Sequence, residues 1–376
     1  MLKVGVIGYG QRIDTVVSGL VKTGQAQLCA VMDINPDAVK ERFPDIPKEV
    51  VFYTDAREML DNEKLDGVCV GTRCSLHTKY AALVSEYNLP LFLEKPVCTN
   101  YEDLAVLEGL PKEMDDKTVV SFPLRNADIV LKVKEMIAGG TLGEISQVQG
   151  YNNVPYGRGY YHKWYRDENE TGGLFLQKAT HDLDYINFLL GDLKPICVAG
   201  MKSKQIFKGD KPAGLKCKDC TEAETCPESP ANVHKTGDYN IPGEYCCFAV
   251  DTGNEDSGTA IVRYDNGLHV VYTQNFIARL AAKKRGARVI GYKGTVEFDF
   301  YTGEIVLYSH ESPTVERTKA DTSKPHFGGD DALFVNFVGV IKGTEKSKTP
   351  LREGILSAKM CLAAKKSSIE NVFVNI

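Results

Sequence analysis

The N-terminal third of the chain alternates short apolar runs with segments that repeat apolar residues at helical spacing. The runs are continuous rather than alternating, which is typical of strands buried on both faces. They lie at Lys3–Ile7, Leu28–Met32, Val50–Tyr53, Gly67–Val70, Leu91–Leu93 and Thr118–Phe122. Because parallel neighbours need a crossover, usually a helix, between them, this order predicts an α/β fold with a doubly wound parallel sheet.

The pattern changes after Pro123. A helix is predicted over 127–137, a strand over 144–150 and a long helix over about 174–190. Between 195 and 309 the apolar residues alternate with period two, and Asp265-Asn266-Gly267 predicts a hairpin turn. Two final helices follow, over 330–341 and 352–365. This part predicts an α+β domain with a large, open and mainly antiparallel sheet.

A chain of 376 residues is long for one domain and sufficient for two. We expect a Rossmann domain over residues 1–124 that binds NAD or NADP. Residues 125–376 are expected to form a domain for substrate binding and oligomerisation. The final helix is a candidate to pack back on the first domain.

The turn after the first strand contains Gly8-Tyr9-Gly10 and leads into a helix that begins with Gln11 and Arg12, and all five residues are expected to contact the cofactor. Glycine at such a turn lets a pyrophosphate approach the backbone, and the helix offers its first amides to the phosphates. Ile13 replaces the third glycine of the usual pattern. Asp33 ends the second strand, where an acid binds the adenosine ribose and repels a 2′-phosphate. Asp33 therefore favours NAD over NADP as the cofactor, and NADP remains an alternative.

The composition gives no reason to expect a nucleic acid or a membrane as partner. The net charge is −5, and the N-terminus shows neither a signal peptide nor a membrane span. Most of the eleven cysteines sit singly, several in apolar runs, as at Cys29, Cys69, Cys197 and Cys361. This pattern favours reduced thiols and a cytoplasmic location.

Several segments together resemble the glucose–fructose oxidoreductase / inositol dehydrogenase (Gfo/Idh/MocA) family. Besides Asp33, the resemblance rests on VGVIGYG (4–10), GTRCSLH (71–77), LEKPV (93–97), FPLRN (122–126), GGTLGEI (139–145), GGLFLQKATHDLD (172–184) and HFGGD (326–330). It covers nearly the whole chain. It implies an oxidoreductase that uses a nicotinamide cofactor and acts on a sugar, polyol or glycoside.

The resemblance also implies roles for residues near the predicted cofactor. Lys95, in Glu94-Lys95-Pro96, would contact the substrate hydroxyl and take part in proton transfer, and in the family this proline can follow a cis peptide bond. A partly desolvated lysine suits acid/base chemistry because burial lowers its pKa. The residues implied to line the cofactor are Thr72, His77, Glu94, Lys95 and Arg125.

In the predicted central helix, Gln177, His181 and Asp184 fall at i, i+4 and i+7. Relatives often carry an aspartate where this chain has Gln177, and glutamine cannot carry a proton. His181 and Lys95 are therefore the expected acid/base pair, with Lys178 or Asp182 as helpers. Asp184 is expected to orient His181 or to form a structural link rather than to act as a base. The residues expected at the substrate are Lys95, Trp164, Arg166, Gln177, Lys178, His181 and His326, the last with Asp330.

A polar insertion over 208–238 contains Cys217, Cys220 and Cys226, with Cys246 and Cys247 further on. The spacing is compatible with a structural zinc site, although it is not a standard zinc-ribbon pair. Free thiols in a surface loop are the favoured alternative.

Three functions are compatible with these residues. The leading one is a dehydrogenase acting on a ring hydroxyl. The second is a lyase or hydrolase of glycosides that retains NAD and oxidises its substrate transiently. The third, a cofactor-binding regulator, is disfavoured because Lys95 and His181 are both present. We expect a homodimer or homotetramer, since an open sheet otherwise exposes an apolar face.

Overall fold

The computed structural model describes residues 1–155, 159–233, 235 and 244–376. The chain divides into two compact units. The first unit comprises residues 1–127 and 325–359, and the second comprises 128–324 and 360–376. The sequence places the domain boundary at 124/125, and the units divide at 127/128. Segment 325–359, which the sequence assigns to the second domain, groups with the first unit.

The described strands form two sheets, one in each unit. In the first unit, six parallel strands lie in the order β3-β2-β1-β4-β5-β6, which are Leu2–Ile7 (β1), Ala26–Met32 (β2), Val51–Tyr53 (β3), Gly67–Val70 (β4), Leu91–Leu93 (β5) and Thr118–Val120 (β6). This confirms the Rossmann sheet, and the strand order reverses between β1 and β4, where such sheets bind ligands.

The sheet of the second unit has nine described strands in the order β14-β13-β12-β11-β7-β10-β9-β8-β15. All its described neighbours are antiparallel except β7 and β10, which confirms a mainly antiparallel sheet. The strands are Ile145–Asn153 (β7), Pro195–Ser203 (β8), Ser257–Tyr264 (β9), His269–Asn275 (β10), Lys284–Gly291 (β11), Gly294–Asp299 (β12), Glu304–Ser309 (β13), Val315–Lys319 (β14) and Val374–Asn375 (β15).

The described α-helices are numbered along the chain. None of them combines the length and apolar character needed to span a bilayer. They are Gln11–Lys22 (α1), Pro36–Arg42 (α2), Ala56–Asn62 (α3), His77–Glu86 (α4), Tyr101–Glu108 (α5), Glu113–Lys117 (α6), Asp128–Ala138 (α7), Gly159–His162 (α8), Glu168–Thr171 (α9), Thr180–Leu190 (α10), Pro230–Val233 (α11), Gly329–Ile341 (α12) and Leu351–Glu370 (α13).

The core of the first unit lies between the sheet and the helices that cover it. α1 presents Ile13, Val16 and Leu20 to the core, as its helical spacing predicts. α12 belongs to the same core, and the ring of Phe337 packs edge-on against Phe92 of β5 at 5.6 Å. Segment 325–359 therefore completes the hydrophobic core of the Rossmann sheet.

In the second unit, α10 lies along the sheet and is preceded by a π-helical turn, Phe175–Ala179. The sequence predicts one continuous helix over 174–190, and the structure differs by widening its first turn. Single π turns of this kind often occur at functional sites. The wider turn therefore changes the angle around the helix axis between the side chains of Gln177 and His181.

Candidate active site

The loop between β1 and α1 is shaped by a glycine in the left-handed region. Gly8 has a φ of +79°, and a Cβ there would lie 2.8 Å from the Thr72 Cα. The Tyr9 side chain is buried, with its ring edge-on to Phe43 at 5.2 Å and its hydroxyl donating to Asp14 Oδ1 at 3.1 Å. Burial raises the pKa of Tyr9. Only the backbone of this loop thus remains to meet a ligand.

The start of α1 fits the pyrophosphate of a dinucleotide. Gly10 is the N-cap, and no atom lies within 4 Å of the position its Cβ would take. The first amides of this twelve-residue helix follow that open space. At the end of β2, Asp33 accepts from the Tyr9 amide at 2.9 Å and the Asn35 amide at 3.0 Å, which fixes its carboxylate beside the loop. The residues present therefore suit the cofactor predicted from the sequence.

Gly8→Ala is expected to weaken NAD binding about tenfold or more, because the Cβ would displace the Thr72 backbone and distort the loop. Gly24→Ala is the matched control, since Gly24 has a φ of +70° but nothing within 4 Å of its Cβ position. It should cost stability and leave the affinity unchanged. Calorimetric titration with NAD checks both, and equal affinities for the two variants would contradict the assignment.

Lys95 follows β5 at the carboxyl end of the sheet and is half-buried. Its neighbour Glu94 is buried, donates its amide to the Val70 carbonyl at 3.1 Å and accepts from Arg12 Nε at 3.0 Å. The peptide bond between Lys95 and Pro96 is cis. Glu94, directly before Lys95, is thus held both at its backbone amide and at its carboxylate.

Arg12 connects several elements of the first unit. Its terminal nitrogens donate to both carboxylate oxygens of Asp330, at 3.1 and 2.7 Å, and to Ser121 Oγ at 3.0 Å. His326 Nδ1 lies 2.7 Å from Asp330 Oδ2. The sequence predicts Arg12 as a cofactor contact and His326 as a substrate contact, and the structure places both around Asp330.

Asp330 is the buried acid of this network. Burial alone would raise the pKa of its carboxyl, but hydrogen bonds from His326 and Arg12, together with the positive charge of Arg12, lower the pKa to about 2. The network therefore holds a carboxylate inside the first unit at neutral pH.

Three other residues implied to line the cofactor lie in the first unit. Thr72 is half-buried against Gly8. His77 is buried, with its ring nitrogens 2.7 Å from the Pro96 carbonyl and 3.3 Å from the Thr72 carbonyl, and burial lowers the pKa of His77. Arg125 is buried and donates to the Lys348 carbonyl at 3.3 Å. His77 thus ties the loop after β4 to the loop after β5.

The second unit carries the remaining predicted acid/base and substrate residues. Gln177 and Lys178 lie in the π turn, and His181 and Asp184 follow in α10. All four side chains are buried. Lys178 Nζ lies 5.2 Å from the centre of the Tyr160 ring.

Two predicted substrate residues have prominent protein partners. Trp164 stacks on Tyr165, with ring centres 4.0 Å apart. Arg166 donates to both oxygens of Asp251, at 2.8 and 2.6 Å, and to Thr252 Oγ1 at 2.8 Å. Arg166 therefore anchors the segment at Asp251 and Thr252, a contact that its sequence position does not indicate.

The cysteines of the insertion are free thiols wherever the structure describes them. Cys217 donates its amide to the Glu244 carbonyl and Cys246 donates to Leu215, which brings the two segments together. Burial raises the pKa of Cys217 to about 11. Within the described ranges, no three His, Cys, Asp or Glu side chains form a group that could hold a metal.

No sequence motif marks Ser121, Arg285, Tyr272 or Asn152, although each contacts a residue beside the predicted sites. Arg285 is 5% exposed at the start of β11. An arginine inside an otherwise apolar alternation could have marked it, since buried charges are nearly always paired.

The parallel sheet, the glycine turn and Asp33 define a Rossmann-type dinucleotide-binding protein. The family models that match this chain agree with this class of protein and identify one family within it. The NAD-binding Rossmann-fold model of an oxidoreductase family, Gfo/Idh/MocA, matches residues 2–122, and the model of its C-terminal α/β domain matches residues 134–376. The chain belongs to the Gfo/Idh/MocA oxidoreductase family.

Individual relatives are distant in sequence. YteT of Bacillus subtilis is 27% identical over 371 residues, covering 87% of this chain and 83% of that protein. Myo-inositol 2-dehydrogenase of Thermotoga maritima is 25% identical over 194 residues, covering 51% and 55%. The solved structure of levoglucosan dehydrogenase with NADH and levoglucosan superposes with a TM-score of 0.75 at 17% identity, covering 100% and 99%. That last likeness concerns the fold.

Proposed function

We propose that this oxidoreductase is a dehydrogenase that acts on a ring hydroxyl of a sugar, cyclitol or glycoside. The observation that carries the proposal is the half-buried Lys95 at the carboxyl end of β5, between a fixed Glu94 and Pro96, in a unit that belongs to an NAD-binding family. Relatives named as inositol and levoglucosan dehydrogenases support the substrate class. When bound, NAD supplies the hydride acceptor.

In this proposal the protein positions the hydroxyl and moves its proton. Lys95 hydrogen-bonds the reacting oxygen and stabilises the negative charge that develops on it. His181 accepts the proton during oxidation and returns it during reduction. Gln177 has no titratable proton, so it contributes hydrogen bonds alone.

A second candidate is a lyase or hydrolase that retains NAD and oxidises its glycoside substrate transiently. The buried Gln177 supports this second candidate, because relatives often carry an acid at this position. A change in the residues that transfer protons can accompany a change in the reaction. The two candidates differ in net redox change.

Absorbance at 340 nm separates them. The purified protein is mixed with NAD or NADP and a panel of polyols, sugars and glycosides. A steady rise with one substrate supports the dehydrogenase. A glycoside that is consumed without any rise, by protein that retains nicotinamide after purification, would favour the second candidate.

Asp33→Asn is expected to raise the ratio of kcat/KM with NADP to kcat/KM with NAD by about tenfold or more, because it removes a charge that repels the 2′-phosphate. Asparagine keeps an oxygen that can accept from the Tyr9 amide. Asp37→Asn, at an exposed acid of α2, is the matched control. The ratio of kcat/KM for the two cofactors checks the prediction, which fails if both variants keep the wild-type ratio.

The second unit exposes apolar side chains on β8 and β9, among them Met201 at 72% and Ile261 at 42%. We propose that this face supports self-association into dimers or tetramers, because water contact with such a surface is unfavourable.

A further inference from the structure

The first turn of α10 is attached to the sheet of the second unit by one buried carboxylate. Asp182, which directly follows His181, has no exposed surface. Its Oδ1 accepts from Arg285 Nε at 2.8 Å. Its Oδ2 accepts from Asn152 Nδ2 and from the Tyr272 hydroxyl, each at 2.8 Å.

The three donors come from three adjacent strands. Arg285 lies on β11, Asn152 on β7 and Tyr272 on β10, and β7 lies between the other two. Arg285 is paired in register with Asn152. A single side chain of α10 is thereby held by a rigid hydrogen-bonded platform.

The close approach of α10 to this platform depends on a residue without a side chain. A Cβ on Gly150 would lie 2.8 Å from Ile186 Cδ1 and 3.2 Å from Tyr272. Gly150 pairs in register with Tyr272 on β10. The helix therefore settles where the Asp182 carboxylate can reach all three donors.

We propose that Asp182 is a positioning residue that fixes the backbone of His181, rather than a helper in proton transfer. The inference rests on the proposed function of His181. Both oxygens of the carboxylate already accept strong hydrogen bonds, and one belongs to a buried ion pair with Arg285. A carboxylate bound in this way serves as a fixed hydrogen-bond acceptor. Because His181 is the adjacent residue, its backbone is held in place as well.

Tyr272→Phe removes one donor to Asp182 and changes no charge. Tyr185→Phe is the matched control, because Tyr185 is equally buried and its hydroxyl also joins α10 to the sheet, donating to the Gly286 carbonyl at 3.0 Å. We expect kcat to fall about three- to tenfold in Tyr272→Phe with the KM for NAD unchanged. The control should stay within about twofold of wild type.

A readout independent of turnover is the NMR spectrum of the protein labelled at histidine Cε1. The chain has seven histidines, and His181→Asn identifies the signal of His181. Tyr272→Phe should shift or broaden that signal, and Tyr185→Phe should not. Asn152→Ala, which removes another donor to Asp182, repeats the test if Tyr272→Phe does not fold.

An unchanged His181 signal in both Tyr272→Phe and Asn152→Ala would overturn the positioning role, as would equal changes in Tyr185→Phe. These outcomes are separate from those that test the proposed function. If His181→Asn retains full turnover while the His181 signal still responds to Tyr272→Phe, the catalytic role fails and the structural attachment stands.

Discussion

Lys95→Met is expected to lower kcat by about 10²–10⁴-fold, because the variant can neither move a proton nor stabilise charge on the reacting oxygen. NAD affinity should fall far less than kcat, since Lys95 is one of several residues implied to line the cofactor and the loop around Gly8 and Asp33 stays intact in the variant. Steady-state rates at 340 nm and calorimetric titration with NAD measure the two quantities separately.

Lys64→Met serves as the control, since Lys64 is exposed before β4. His181→Asn should produce a loss of the same order as Lys95→Met. In Lys95→Ala, added ethylamine should restore part of the rate by supplying the missing ammonium group. A Lys95→Met enzyme with turnover close to wild type would remove this residue from the reaction.

Arg12→Met is expected to lower the free energy of unfolding by about 3–5 kcal/mol. The Arg12 guanidinium faces Glu94 and Asp330, whose side chains are 8% and 6% exposed, so its loss leaves two carboxylates without their shared cation. Arg57→Met, which breaks an ion pair with Glu86 that is 54% exposed on both sides, should lower the free energy of unfolding far less, because water screens an exposed pair. Urea titrations of both variants provide the comparison.

The Arg12 effect should also depend on pH. The pKa of Asp330 is lowered from 3.8 to about 2 in the folded protein, so its contribution to stability is full at neutral pH and is lost as the pH falls from about 4 through 2. The difference between wild type and Arg12→Met should therefore shrink over that range. A difference that stays constant down to pH 2 would show that Arg12 stabilises by packing instead.

Much of the fold follows from local patterns. The predicted strands of the first sheet agree with the observed ones within about two residues at each end, because strands buried on both faces read as uninterrupted apolar runs. The start of α5 was also predictable, and Asn100 caps it by accepting from the Asp103 amide at 2.7 Å. Hydrophobic burial and helix capping depend on residues that are close together in the sequence, so both can be predicted from local patterns.

Other features of the fold have little or no local signal in the sequence. α2 leaves little signal in the sequence because it is short and buries only Val39. The π turn before α10 leaves no period of its own in the sequence. The contact between Arg12 and Asp330 joins residues 318 positions apart.

The same limit applies to the candidate site. Motifs selected Lys95, Glu94 and His181, but no motif indicates which distant residues fix these side chains or their neighbours. Arg12 reaches Glu94 across 82 positions, and Arg285 reaches Asp182 across 103. Packing decides such pairs, so a sequence alone names the reacting groups more readily than the groups that position them.

The ratio of NADH formed to substrate consumed tests the proposed dehydrogenase most directly. It is measured with the first substrate that the protein turns over, by following absorbance at 340 nm and quantifying the substrate chromatographically in the same sample. A dehydrogenase forms one NADH, and one oxidised product, for each substrate molecule consumed. Consumption of many substrate molecules per NADH, with nicotinamide retained by the protein, would contradict it and establish chemistry in which the cofactor is recycled.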